Sequence, residues 1–189
     1  MLVSGIIDFR TPAAGFDQPI QMWLACHERI LRMIALLVRL QEHIAGGGAQ
    51  ESSRVTATSI LRYFDEAAPR HHEDEEIDLF PRMLARLKDG ELEQISGAIG
   101  ALQDEHVLLS NAWQELRRGL IAIEAGTDHR LDDQATTQFV QSYRQHVEDE
   151  NKILLPAFQR VFDQPELAAI GFAMASRRGV DWETLRAPK

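Results

Sequence analysis

HHEDEEIDLFP at 71–81 and HVEDENKILLP at 146–156 agree at six of eleven positions, so the pattern H-x-E-D-E-x-x-x-L-x-P occurs twice in one chain. Seven residues before each leading histidine stands a phenylalanine, Phe64 or Phe139, which extends the match along one helical face. Each copy also follows a helix-patterned stretch that holds one more histidine among apolar neighbours. His27 has Trp23, Leu24, Ile30 and Leu31 three and four residues away, and His106 has Leu102 and Leu109. The chain therefore reads as a duplication whose unit is a helix with one His followed by a helix with His-x-x-x-Glu.

That spacing has a chemical meaning. Residues i and i+4 share a helix face, so His71 with Glu75 and His146 with Glu150 aim the same way, into the core that the apolar stripes define. Burying a carboxylate costs several kcal/mol, and four imidazoles with two carboxylates in one interior need a counter-charge. A divalent or trivalent metal supplies it. Four nitrogens and two carboxylates suit two ions bridged by the carboxylates, with positions left for a small molecule. The expected ligands are His27, His71, Glu75, His106, His146 and Glu150; without metal, the same histidines would simply hydrogen-bond inside a helical interaction protein.

Other residues near the motif are read more plainly. Glu73, Asp74 and Glu76 read as a mostly solvated outer face that can also tune the ligands. His72 also has a carboxylate four residues on, Glu76, and a one-residue shift would make that the ligand pair. Aligning Pro81 with Pro156 pairs His71 with His146 and His72 with Val147, which favours His71. His43 and His129 read as surface residues, and Cys26 as a small buried hydrophobe. Phe64, Trp113, Phe139 and Tyr143 read as core, with the Tyr143 hydroxyl best placed to support the metal ligands from behind.

The surrounding chain is helical in pattern. Apolar stripes cover about 20–44, 53–88, 91–125 and 131–162, with a short helix at about 166–177. Pro69 and Pro81 predict kinks or breaks in the second stretch. Among these stretches there is no alternating β pattern, so the fold class is all-α: an antiparallel up-down-up-down four-helix bundle over 20–163, an N-terminal arm over 1–19, and a short C-terminal helix and tail over 164–189.

Composition narrows the function. There are 20 basic and 29 acidic residues, a formal charge of −9, which disfavours nucleic acid as a partner. The single cysteine excludes an internal disulfide and a thiolate cluster. No long uncharged apolar run or signal-peptide pattern points to a membrane or to export, so the expected location is the cytoplasm.

The residues quoted above resemble the hemerythrin-like family, the HHE cation-binding domains, over about 20–162. The resemblance implies a non-haem di-iron centre with His27, His71, His106 and His146 as terminal ligands and Glu75 and Glu150 bridging, although zinc and manganese also suit such donors. It further implies binding or sensing of a small gas, dioxygen or nitric oxide. The alternatives are a di-iron redox enzyme acting on peroxide, nitric oxide or iron, and a protein of iron–sulfur repair or iron handling. Ferritin-like oxidases use Glu-x-x-His instead, and no histidine here has Glu three residues before it.

Overall fold

A computed structural model of the protein describes residues 15–48, 50–128 and 130–181. Most of the N-terminal arm, His129 and the end of the tail lie outside the described residues. The described chain is all-helical, with no strand, and none of its helices is long and apolar enough to cross a membrane.

Helix α1 spans Pro19–Ala45. Pro19 opens it, where a missing N–H costs nothing because the first turn has no acceptor for it. Helices α5 (Asp89–Ala125) and α6 (Asp133–Val161) follow the long stripes seen in the sequence. Gly126 closes α5 at φ 73°, a left-handed conformation that glycine adopts without a Cβ clash. The Asp132 carboxylate caps α6 by accepting from the Ala135 N–H at 2.7 Å. Asp163 does the same for α7 (Gln164–Arg177), accepting from the Glu166 N–H at 3.0 Å.

The second stretch is interrupted beside both prolines, as expected, but by π-helical turns and not by loops: helical structure continues from Gln50 to Leu84, with α2 (Gln50–Arg62), α3 (Ala68–Glu73) and α4 (Phe80–Leu84) joined by π-helical turns at Tyr63–Ala67 and Asp74–Leu79. Pro69 and Pro81 each stand second in the α-helix that follows a π turn. A proline clashes with the carbonyl four residues earlier, and for these two that residue is Asp65 or Ile77, each inside the wider turn. The extra width accommodates both rings.

Helix α1 packs on α2 and α6, and α5 packs on the same two helices, so four helical stretches enclose one interior. Helix α7 lies against α1 and the second π turn. The interior holds two apolar clusters. One is built around Ile34, Leu37, Ile60, Phe64, Leu120 and Phe139; the other around Trp23, Phe80, Met83, Ile99, Leu154 and Phe158. The histidines and glutamates of the repeat belong to neither: each helix passes through a polar layer between them.

Candidate metal centre

All six expected ligands are buried in that layer, at 4% exposure or less, and they converge. His27 Nε2 lies 3.2 Å from Glu150 Oε2 and 3.8 Å from Glu75 Oε1, and His71 Nε2 lies 3.2 Å from Glu75 Oε1. On the other side His106 Nε2 is 3.5 Å from Glu75 Oε2 and 3.7 Å from Glu150 Oε1, while His146 Nε2 is 3.3 Å from Glu150 Oε1. Each carboxylate thus turns one oxygen to the His27/His71 pair and the other to the His106/His146 pair. Such a division leaves a carboxylate oxygen facing each histidine pair, as a cation on either side would require.

The donor chemistry fits a metal. Nε2 of His106 and Nε2 of His146 are 3.1 Å apart, close to the ~3 Å between adjacent donors on an ion with bonds of about 2.1 Å. Donor atoms of His27, His71, Glu75 and Glu150 all lie within 4.8 Å of one another. Both oxygens of Glu150, Glu75 Oε2, His27 Nε2 and His71 Nε2 are buried without a hydrogen-bond partner among the described residues. Leaving that many polar atoms unsatisfied would cost several kcal/mol, and a cation on each side satisfies them together.

Charge in the layer follows the same geometry. Burial disfavours a charged imidazole, but the Glu150 and Glu75 carboxylates carry His27 up to about 9, and Glu150 with Glu105 does the same for His146. His106 is also raised against its burial, by Glu150 and Glu75. Burial and the facing Glu150 push Glu75 up; Glu150, though buried, is held well below the usual carboxylate range by His106, His146 and His27. His71 is pushed well down by burial and by the charge on His27. His72 falls to about 3 through burial and its neighbours His106 and His146.

The description of the hemerythrin HHE cation binding domain matches residues 18–158. The chain belongs to this family. An uncharacterized protein of Haemophilus influenzae is similar as well, 28% identical over 167 residues that make up 88% of this chain and 94% of that protein.

Around the hemerythrin-type layer stand partners that helix periodicity did not reveal. His106 Nδ1 donates to Glu76 Oε1 at 2.6 Å, His146 Nδ1 to Glu105 Oε2 at 2.8 Å, and His27 Nδ1 lies 2.9 Å from Asn151 Oδ1. Such contacts fix the ring and leave Nε2 facing inward. Trp23 Nε1 donates to Glu75 Oε1 at 2.5 Å. The repeat carried a signal for two of these: it aligns Glu76 with Asn151, and each holds the histidine of the opposite half. Aligning His27 with His106 sets Cys26 against Glu105. Cysteine offers no comparable acceptor, and His71 Nδ1 is left buried and unpartnered among the described residues.

The structure brings both His71 and His72 to the interior. Neighbouring residues on a helix diverge by about 100°, so His71 and His72 straddle the interior. His71 joins His27, Glu75 and Glu150, whereas His72 faces His106 and His146. The reading of a solvated outer face needs correction. Glu73 is exposed, but Asp74 is fully buried, because α7 covers it and brings Arg177 and Arg178 to its carboxylate. Glu76, partly exposed, supports His106.

An alanine at Glu105 is expected to weaken metal binding about 10–100-fold, the usual effect of losing a group that orients a histidine ligand. Competition with a chromophoric chelator measures it. Affinity equal to that of the unaltered protein would show that His146 needs no such support.

Proposed function

We propose that this protein is a di-iron protein that binds or senses dioxygen or nitric oxide. His27 and His71 hold one ion and His106 and His146 the other, bridged by Glu75 and Glu150, inside an antiparallel up-down-up-down bundle over 20–163. The single observation that supports this most is the division of each glutamate's oxygens between the two histidine pairs. Bound iron would supply redox activity and open coordination positions for a small molecule.

The protein's own groups prepare that chemistry. Glu76, Glu105 and Asn151 orient three imidazoles, and Trp23 holds one oxygen of Glu75 in place. Apolar clusters on both sides of the layer keep bulk water from it. The lone cysteine, Cys26, is free and buried, in keeping with a place in the reducing cytoplasm.

Protein purified anaerobically without chelator is expected to contain two irons per chain and to change its visible spectrum on exposure to dioxygen or nitric oxide. Zinc or manganese as the resident metal would reject iron, and an unchanged spectrum would reject gas binding. Steady consumption of peroxide or nitric oxide would place the protein among the redox enzymes instead.

A further inference from the structure

The two halves of the centre are not equivalent, and one of the differences lies at His72. The repeat pairs His72 with Val147, so an imidazole faces the His106/His146 side where an isopropyl group stands in the matching half. The His72 ring lies flat on that of His106, with centroids 3.9 Å apart and planes 7° from parallel. An imidazole nitrogen directs its lone pair within the ring plane. Two stacked, nearly parallel planes have no common point near the rings where one ion could meet both lone pairs. As it stands, then, His72 is not a further donor to the ion of His106.

The ring nevertheless borders the centre. Nε2 of His72 is buried with no hydrogen-bond partner among the described residues, and a ring nitrogen of His72 lies within 4.8 Å of ring nitrogens of His106 and His146. The same side chain lines a pocket of about 150 Å3, together with Phe64, Ala68, Leu109, Trp113 and Tyr143. That pocket is large enough for a few-atom molecule, and its lining mixes these groups with the polar side chains of Asp65, Ser110 and Gln114. A half-buried imidazole whose Nε2 is buried and idle, between such a pocket and two inward-facing histidines, is placed to hydrogen-bond something small.

We propose that His72 receives the exogenous small molecule: an anion or gas of two or three atoms enters by the Phe64–Trp113–Tyr143 pocket and is hydrogen-bonded by His72 on the His106/His146 side. This makes one half of the centre the ligand-binding half. The assignment rests on the di-iron reading above, and iron content separates the failure of one from the failure of the other.

Azide is a suitable probe, titrated optically into iron-loaded protein. His72→Val, which copies the matching half, and His72→Phe, which keeps the stack on His106 without a nitrogen, are each expected to retain two irons per chain. Both should bind azide roughly tenfold more weakly or worse, as loss of a hydrogen bond to a charged ligand implies. His72→Gln, which keeps an N–H donor, is expected to recover most of the affinity. Loss of one iron in the Val and Phe variants would make His72 a metal ligand and overturn the proposal. Unchanged azide affinity in either variant would overturn it too, as would a glutamine variant no better than valine. An unaltered protein that takes up fewer than two irons would refute the di-iron reading and this assignment with it.

Discussion

Replacing Glu150 with alanine is expected to abolish the proposed metal pair, not to weaken a single position. Glu150 is fully buried and presents Oε2 to His27 and Oε1 to both His106 and His146, so its loss removes an anionic donor from each side at once. It also removes the counter-charge for three imidazoles. Metal content should fall from two equivalents per chain to below one, with affinity for what remains reduced well over 100-fold, beyond the effect of losing an orienting group alone. Elemental analysis after gel filtration, with chelator competition, reads both quantities. Two equivalents bound at unaltered affinity would contradict the bridging role. Glu75→Ala should behave similarly, since its oxygens are divided in the same manner.

The second large effect is one of stability and lies outside the metal layer. Asp74 is fully buried beside Glu75, and its carboxylate accepts from Arg177 and, at 2.6 Å, from Arg178, both on or just after α7. Arg177 also bonds Asp78 at 2.6 Å. Further along, Arg82 and Arg86 reach Glu166 at 3.1 and 2.8 Å, so ion pairs tie α7 to the ligand-bearing stretch along its length. Burial raises Asp74, and the two arginines oppose that rise. Losing the buried member leaves Arg177 with Asp78 and leaves both arginines partly open to solvent, so the cost is that of hydrogen bonds to a charged group, about 1.5–3 kcal/mol, and not that of a fully buried pair. Asp74→Ala should therefore lose about that much in denaturant unfolding of the metal-free protein. A loss under about 1 kcal/mol, the range of exposed ion pairs, would show that α7 is held by its apolar contacts alone.

Helix α7 begins after the 18–158 segment matched to the family, whereas Asp74, Asp78, Arg82 and Arg86, which it meets, lie inside that segment. It reaches the π turn that contains Glu75. A chain segment beyond the matched one thereby steadies the helix from which a proposed bridging ligand projects.

Much of this could be read along the chain. The duplicated H-x-E-D-E-x-x-x-L-x-P pattern, together with His27 and His106 on apolar faces, was enough to name the six side chains that the fold brings together, because helix periodicity reports reliably which residues share a face. The π turns were not legible, since proline signals only a missing donor and a crowded carbonyl, not which relief the helix adopts. Nor could the sequence show that Asp74 is buried: its neighbours are acidic, and the α7 arginines that cover it are 103 and 104 residues away. The pairing of Glu76 with His106, of Glu105 with His146 and of Asn151 with His27 depends on how far each helix slides past the next. The sequence determined which faces turn inward; only the packed bundle decided what each meets there, because axial register between helices is set by side-chain interdigitation across the whole interior and not by any local run of residues.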